Sequence, residues 1–498
     1  MRNDDHKLEH TLVLASSRLL GFFLAISIPV FLSRWLTIQD YGTYKQIILL
    51  WMIFLQIQNL GMDLGLFYFV KLNQKHGPLY SLNVTIFNLM STYITVLLLH
   101  HYGHVMADFM HNPGLVAYLS EFSWLLLFSI PAQHFEHYLM SLGMIKWTVI
   151  TESIHEFLKA IAIIFGFYYF KSLQMVLQML VIIYFVRLTS LVAFNIFLVR
   201  SNRLSLLSQL TYFKQQFNYG LPLGISRFIA TFVYFDKIVV SALFSVTKFT
   251  IYSVGCFEIP FVSTILHTVW DVGALEMVVA CKNKNKDELI TLWHDTMRKI
   301  SILTIPTFVF CLFFAREIIV TIFSTQYEGS VPYFRLFIFT FLINAFDCEL
   351  LFRIFRENSR YLKIQIFNLV VTLSMMISLG LMFGPLYALL GKVMANVVIS
   401  YLMQRNAAKL LNLKLVNVLP YKVISKIVLL CSSVAMLLIL ILHSSSVSHF
   451  YVLVSGFMLF SSIVFILFIV NGIITDEEIK YLRQMLDYKR FFAKQGVM

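Results

Sequence analysis

Charged residues are scarce in this sequence. Only 13% of its 498 residues are Asp, Glu, Lys or Arg, whereas 59% are hydrophobic and the mean hydropathy is +0.77. A soluble domain carries about 25% charged residues, so this composition excludes a soluble globular protein. The segments that connect the apolar runs are at most roughly twenty residues long, about the length of a single membrane-spanning helix. They leave no room for a catalytic domain outside a membrane.

The five cysteines lack the spacing of a metal site or a disulfide framework. No two of them form a CxxC pair, and most lie inside apolar runs, so we interpret them as small core residues. No P-loop, GxSxG or HExxH motif is present either. The sequence therefore predicts no metal site, no cofactor and no ATP hydrolysis by this chain itself.

Apolar runs of helical length are abundant. A bilayer core takes about 20 apolar residues per helix, and about fourteen such runs fill the chain. Transmembrane barrel strands would be about ten residues of alternating polarity, so the sequence predicts an all-α polytopic membrane protein. The predicted spans are 11–35, 44–70, 80–101, 118–140, 148–170, 174–199, 218–244, 250–280, 300–323, 333–354, 362–384, 386–404, 423–442 and 449–471.

The distribution of Lys and Arg predicts how the chain is oriented. With a cytoplasmic N-terminus and fourteen crossings, about 27 of the 39 Lys and Arg residues fall in inside segments and about four in outside connections. Cytoplasmic loops carry such an excess of positive charge, so we expect both termini to be cytoplasmic. The inside segments 281–299 and 472–498 have the pattern of basic amphipathic helices that lie on the inner membrane surface.

An internal repeat of about 208 residues is the most informative feature. Ser-Arg opens the first span at Arg18 and the seventh at Arg227, and a tyrosine follows 26 and 25 residues later, at Tyr44 and Tyr252. Nineteen residues beyond each tyrosine comes Asp-x-Gly, at Asp63 and at Asp271. The same residue types thus recur in one order at nearly one spacing, which indicates a duplication.

The repeat predicts how the chain is organised. Six spans lie between the copies, so both copies enter the membrane from the same side as a parallel repeat. We expect an N-terminal six-helix lobe at 1–200, a cytoplasmic linker at 201–217, a C-terminal six-helix lobe at 218–410, and two extra helices with a basic tail at 411–498. Two pseudo-symmetric bundles that face each other across a cleft are typical of transporters that work by alternating access.

Two arginines hold equivalent places in the two halves. A charge inside the bilayer usually faces a partner or a water-filled cavity, and the repeat directs Arg18 and Arg227 into the central cleft. A pair of guanidinium groups suits phosphate or diphosphate, whose oxygens accept from the planar donor fork. Lys392 adds a third positive charge or pairs with a buried acid. The alternative for both arginines is that they reach to the inner interface, because each lies near the cytoplasmic start of its span.

The repeated aspartates, Asp63 and Asp271, lie near the cytoplasmic ends of spans two and eight. One reading is ion coupling or a gate that pairs with an arginine; the other is a structural Asp-x-Gly contact at a helix end. Glu156 and Lys159 are three residues apart on span five, so they can pair with each other on one helix face.

Three stretches resemble the flippases for lipid-linked oligosaccharides, within the superfamily that also holds the multidrug and toxin extruders and the lipid II flippases. The first is the first span with LTIQDYGTYKQ at its end, the second is YGLPLGISRF at 219–228, and the third is AREIIVTIFSTQYEGSVPYFRLF at 315–337. Each is a loose pattern, and their order along the chain carries the resemblance.

The resemblance implies two six-helix lobes plus two trailing helices. It also implies a flippase that moves a polyprenyl-diphosphate-linked oligosaccharide from the inner to the outer leaflet of a prokaryotic plasma membrane, for surface polymers such as O-antigen or capsule. Family members bind the diphosphate with cationic residues, and Arg18 and Arg227 match them, with Lys392 and Arg187 as further candidates. Implied partners are membrane lipids, H⁺ or Na⁺, a polysaccharide polymerase and other assembly proteins.

Two other functions stay open at this point. An ion-coupled multidrug or cation extruder of the same superfamily would need an acid-lined cavity, for which Asp63 and Asp271 are candidates. A membrane glycosyltransferase or polymer ligase would need acidic or histidine residues on a sizeable external loop. The largest external connection, 102–117, has only Asp108 as an acid.

Overall fold

The computed structural model of this protein describes residues 26–202, 209–230, 234–258, 260–443 and 448–480. Within these ranges the side chains of 209–211, 226–227, 229–230, 260–265, 267–268, 271 and 443 are not described. Within these ranges all regular secondary structure is helical, which confirms the all-α prediction.

The helices follow one another with short connections. They are α1 (26–35), α2 (Ile38–Ile57), α3 (Leu64–Leu72), α4 (Gly77–Phe109), α5 (Leu119–Ala132), α6 (Phe135–Ser141), α7 (Ile145–Phe170), α8 (Leu173–Ser201), α9 (Gln209–Ala230), α10 (Phe235–Leu243), α11 (Val246–Gly255), α12 (Pro260–Lys282), α13 (Lys286–Phe313), α14 (Ala315–Phe323), α15 (Val331–Ala345), α16 (Glu349–Ile354), α17 (Asn358–Phe383), α18 (Pro385–Leu411), α19 (Tyr421–His443), α20 (His449–Val470) and α21, which begins at 476.

Contacts divide the described chain into two compact units. One unit extends to Thr250 and the other starts at Ile251, so that the division lies within α11. Helices α9 and α10 belong to the first unit, and α9 packs on α2, α3 and α4. The lobe limits at 200 and 218 and the linker 201–217 stay predictions; residues 209–217 form the first half of α9.

Eight helical segments within the described ranges are long and apolar enough to cross a membrane. Seven of them coincide with predicted spans three, four, six and eleven to fourteen, which confirms a multi-pass membrane protein. The eighth, Lys286–Phe313, only overlaps predicted span nine at 300–323, because residues 315–323 form the separate helix α14. The other predicted spans are interrupted, carry more charges, or begin outside the described residues. Spans two and ten, for example, are each two helices, α2 with α3 and α15 with α16. The total of about fourteen spans stays a prediction.

Local sequence chemistry sets the ends of these helices. Thr37 caps the start of α2, where its hydroxyl accepts from the Asp40 backbone N–H at 3.1 Å. Helix α18 begins at Pro385, directly after Gly384 with φ +101°, and ends at Asn412 in the left-handed conformation. Proline at the first turn and a left-handed residue after the last turn are common helix boundaries.

Apolar side chains cover the outside of the helices as well as the core. In the first unit, the core joins α3, α4, α5, α6 and α8 around Leu66, Val84 and Tyr138. On α17 and α20, by contrast, large apolar side chains such as Val370 and Phe457 are more than half exposed. A surface of this kind is stable only against an apolar solvent, so these faces contact lipid.

The predicted amphipathic surface helix at 281–299 is wrong. After a turn at 283–285, residues 286–299 form the first half of α13 and continue without a break into a membrane-spanning segment. The pattern misled because this polar stretch begins a longer helix and carries the fully buried Trp293, whose Nε1 donates to the Val418 carbonyl at 2.7 Å. Of the second predicted surface helix, 472–498, residues 481–498 lie outside the described part of the chain.

Candidate functional site at a helix break

The first unit has a helix break inside predicted span two. Helix α2 ends at Ile57 and α3 begins at Leu64, with Leu60 and Gly61 at φ 42° and 72° between them. Asp63 lies at the end of this break and is fully buried. The prediction of one continuous helix over 44–70 was therefore wrong. Irregular backbone at membrane depth is tolerated only where protein or a cavity surrounds it, so the break marks a specialised place.

A histidine partners the aspartate at this break. The Oδ2 atom of Asp63 lies 3.2 Å from Nδ1 of His137, which belongs to α6, and the Asp63 side chain is 1% exposed whereas the His137 side chain is 28% exposed. One face of this ionisable pair is thus sealed in the unit and the other face is accessible. A buried carboxylate is costly without such a partner.

A second histidine extends the polar cluster into α4. His134 is fully buried between α5 and α6, and its Nε2 lies 3.1 Å from the hydroxyl of Ser81 and 3.4 Å from that of Thr85. The Asn195 amide of α8 donates to the same Ser81 hydroxyl at 3.0 Å. Hydroxyl and imidazole groups therefore connect three helices next to the Asp63–His137 pair.

Amide side chains line the other side of the break. Gln58 Nε2 donates to Thr95 Oγ1 at 2.6 Å and Gln58 Oε1 accepts from Thr92 Oγ1 at 2.9 Å. Asn59 Oδ1 accepts from Asn88 Nδ2 at 3.4 Å. These bonds hold the broken helix against α4, where Asn88, Thr92 and Thr95 follow each other at helical spacing on one face.

Backbone-to-backbone contact joins the break to α9. A Cβ atom added to Gly61 would lie 2.5 Å from the Gly220 carbonyl oxygen and 2.6 Å from the Gly224 nitrogen. A Cβ on Gly224 would lie 2.3 Å from the Leu60 carbonyl carbon. Only glycines permit this approach. The structure thus brings the break that carries Asp63 against the segment of α9 that lies one turn before Arg227.

Arg187 has a carboxylate partner. Its Nη2 and Nη1 atoms donate to the two carboxylate oxygens of Glu152 at 2.5 and 3.2 Å, and Nε donates to the Ala132 carbonyl at 3.4 Å. The side chains are 10% and 19% exposed. On the same helix as Glu152, Lys159 pairs with Glu156 at 2.6 Å, as the helical spacing predicted. The Arg187–Glu152 pair links α8 to α7, whereas the Lys159–Glu156 pair lies within α7.

The remaining predicted residues are described only in part. Lys392 lies on α18 with Nζ 6.0 Å from the centre of the Phe337 ring, which is a cation–π distance. Arg18 lies outside the described residues. Arg227 and Asp271 lie on the described helices α9 and α12, but their side chains fall outside the description. The convergence of Arg18 with Arg227 therefore stays a prediction.

Neither the two histidines nor the amide cluster was among the residues predicted from the sequence. A signal existed, because Gln58 and Asn59 interrupt an apolar run just before Asp63, and His134 and His137 flank Glu136 in another. Their contacts could not be predicted, because the partners are between 29 and 74 residues apart in sequence and come together only through two helix breaks.

Comparison with known proteins places the fold and the family. A sequence-family profile described as "Polysaccharide biosynthesis protein" matches residues 31–332. No curated protein sequence matches the chain significantly.

Two solved structures share the fold. The lipid II flippase MurJ in an inward closed conformation aligns with a TM-score of 0.62 and 14% identity over 93% of this chain and 99% of that one. A multidrug resistance MATE family transporter of the MOP superfamily, in an inward-facing conformation, aligns with a TM-score of 0.58 and 12% identity over 79% of this chain and 94% of that one. Since the family profile covers more than half of the sequence, the chain belongs to the polysaccharide biosynthesis protein family.

Proposed function

We propose that this protein is a flippase. It moves a polyprenyl-diphosphate-linked oligosaccharide from the inner to the outer leaflet of a prokaryotic plasma membrane by alternating access, for the synthesis of a surface polysaccharide such as O-antigen or capsule. The observation that carries the proposal is the fold of a lipid flippase in a chain of the polysaccharide biosynthesis family.

The diphosphate is the part of the substrate that needs charged ligands inside the membrane. In the proposal, Arg18 and Arg227 bind it through charge-assisted hydrogen bonds, with Lys392 as a further cation. Guanidinium groups match the diphosphate oxygens in geometry as well as in charge. Arg187 is the weakest of the four candidates, because Glu152 already occupies both of its Nη groups.

The Asp63–His137 pair is the proposed coupling or gating element, with Asp271 as its counterpart in the second half. The break that carries Asp63 packs directly on α9, one turn before Arg227. A change in the protonation or ion occupancy of the pair would alter the break, and the contact at Gly61 and Gly224 transmits that change to α9. Substrate binding at Arg227 and the state of Asp63 are linked in this way.

The test is a glycan-export assay in cells whose own flippase is deleted. Wild-type protein restores the surface polymer, whereas Arg18→Ala and Arg227→Ala accumulate lipid-linked glycan inside. Loss of one charge-assisted contact of about 1.5–3 kcal/mol lowers export at least about tenfold. Arg353→Ala is the matched control, because Arg353 is 69% exposed at the side chain and pairs with Glu349 on the short helix α16.

Asp63→Asn gives a separate result in the same assay. The amide keeps the size of the carboxylate and removes its charge, so export falls while lipid-linked glycan still binds. If Asp63→Asn exports glycan normally, the coupling role proposed for Asp63 is wrong, while the proposed binding role of the arginines is unaffected.

The second candidate function is a cation extruder. The buried Asp63 and the likeness to a MATE family transporter favour it. In that case the protein restores no surface polymer but removes cationic dyes from cells, and removal depends on Asp63 or Asp271. Measuring dye efflux on the same strains separates the two functions.

A further inference from the structure

A small cavity lies in the second unit. It has a volume of about 220 Å³, enough for several water molecules or one small polar head group. The cavity lies where α13, α14 and α15 meet the end of α19 and the start of α20. Its lining includes three charged residues, Arg316, Glu317 and Arg335, and apolar walls that contain Phe313, Ile439 and Val452.

The cavity contains a buried carboxylate. Glu317 is 5% exposed, and none of the described residues gives it a hydrogen bond or an ion pair. Neither Arg316 nor Arg335 lies within ion-pair distance of Glu317. Arg316 pairs with Glu328 instead. A buried carboxylate with no partner is costly, which indicates that a ligand supplies the missing cation.

Two guanidinium groups share the cavity with this carboxylate. Arg316 uses only its Nε toward Glu328, at 2.6 Å, so its two Nη groups keep their donors. Arg335 makes no hydrogen bond or ion pair within the described ranges. Five unused donors on one fork and four on the other suit a phosphate. The lining therefore presents donors for an anion and an acceptor for a cation.

The walls between these charges are apolar. Phe313, Ile439 and Val452 belong to membrane-spanning helices, and Phe314 directly follows one of them. We therefore expect the rest of the ligand to be a hydrocarbon chain that stays in the bilayer. A free metabolite with the same two charges would bury no apolar surface at these walls.

We propose that the cavity binds the head group of a zwitterionic phospholipid with a primary ammonium, of the phosphatidylethanolamine class. Its phosphate accepts from Arg316 and Arg335, and its ammonium donates to Glu317. A polyprenyl diphosphate or an anionic phospholipid such as phosphatidylglycerol has no ammonium for Glu317. A choline head group has a cation but no N–H donor. The site is thus specific for a bilayer lipid and independent of the transported substrate.

The sequence has a trace of this site. All three charged residues of the cavity belong to the stretch 315–337 that carries the family resemblance, AREIIVTIFSTQYEGSVPYFRLF. Their meeting depends on the short helix α14, which turns the chain back so that Arg335 on α15 comes near Arg316 and Glu317.

Native mass spectrometry of the full-length protein tests the proposal. Purified, delipidated wild type is titrated with phosphatidylethanolamine, phosphatidylcholine and phosphatidylglycerol of identical chains. We expect about tenfold preference for phosphatidylethanolamine, the effect of one charge-assisted hydrogen bond. Equal retention of the three lipids, or preference for phosphatidylglycerol, would overturn the proposal without any variant.

Two isosteric variants assign the contacts. Glu317→Gln is expected to abolish the preference for phosphatidylethanolamine over phosphatidylglycerol. Arg335→Gln is expected to lower retention of all three phospholipids, and Arg353→Gln, on the exposed side of α16, serves as the control. A Glu317→Gln protein that is monodisperse and keeps the preference contradicts the role of Glu317.

Discussion

At the scale of single residues, Arg187 and Glu152 show how this protein keeps charge inside the membrane. The Arg187 guanidinium on α8 donates to both carboxylate oxygens of Glu152 on α7, and both side chains are at least four-fifths buried. Desolvation makes a pair of this kind a modest source of stability, but removing one partner leaves an uncompensated buried charge. The pair therefore holds α7 and α8 in register more than it offers a ligand for substrate.

Replacement of one partner should destabilise the protein strongly. We expect Arg187→Met to lower the free energy of unfolding by about 3–5 kcal/mol, the cost of breaking a buried pair. The double variant Arg187→Met with Glu152→Gln should recover most of the loss, since no charge is left unpaired. Thermal unfolding of the three proteins in one detergent measures both effects.

One result would contradict a structural role for Arg187. If Arg187→Met unfolds at the wild-type temperature and yet loses export, Arg187 belongs to the substrate site. Surface-polymer assays at matched protein levels, together with the melting curves, separate the two roles.

At the scale of elements, three glycines let a broken helix pack on its neighbour. Gly61, Gly220 and Gly224 bring the backbone between α2 and α3 into direct contact with α9. The contact joins Asp63 to the helix of Arg227, so in the proposed coupling its geometry matters for export as well as for stability.

A methyl group at this contact should not be tolerated. Gly224→Ala puts a Cβ 2.3 Å from the Leu60 carbonyl carbon, where backbone must shift, and overpacking of this kind costs about 1–3 kcal/mol. Gly65→Ala is the matched control, because its Cβ would meet nothing nearer than the Phe69 ring at 3.5 Å. We expect a lower melting temperature and impaired export only for Gly224→Ala; equal behaviour of the two variants would refute the contact.

A second element-scale contact fastens the start of α21. Arg298 of α13 donates to Glu478 at 2.6 and 3.1 Å and to the Ile473 carbonyl at 2.6 Å, and Asp295 and Lys299 complete the cluster. Partial burial by itself raises the pKa of Glu478, but the hydrogen bonds from Arg298 and from the Thr475 backbone outweigh it, so its pKa lies below the usual value.

This contact predicts a pH-dependent release of α21. Because the folded-state pKa of Glu478 is lower than the unfolded value of about 4.3, the contact contributes fully above that value and is lost as the pH falls through the folded-state pKa. A spin label at Lys480→Cys should stay immobile at neutral pH and become mobile only at a pH below the unfolded-state value of about 4.3. Glu478→Gln should be mobile already at pH 7, and a label whose mobility ignores both changes would contradict the contact.

At the scale of the whole molecule, composition and hydropathy were sufficient for the fold class and for the positions of seven of the eight membrane-spanning segments in the described residues. They failed at the breaks. A window of about twenty residues averages over the break after α2, where Leu60 and Gly61 have positive φ angles. It likewise averages over residues 346–348, which separate α15 from α16. Breaks are decided by a few dihedral angles and by partners distant in sequence.

The candidate site was predictable to the same degree. The repeat directed attention to Asp63, which does lie at a specialised place, but its partner His137 is 74 residues away and carries no motif. The predicted arginine pair remains untested, because Arg18 and the side chain of Arg227 fall outside the described residues.

The most direct test of the central claim is flipping in reconstituted vesicles. Purified protein is inserted into liposomes that carry a fluorescent polyprenyl-diphosphate oligosaccharide, and a membrane-impermeant quencher reports the fraction in the outer leaflet. We expect wild type to equilibrate the lipid rapidly and Arg227→Ala to do so at least about tenfold more slowly. A monophosphate-linked analogue should move poorly. Wild-type vesicles that flip the diphosphate lipid no faster than protein-free vesicles would contradict the proposed flippase function.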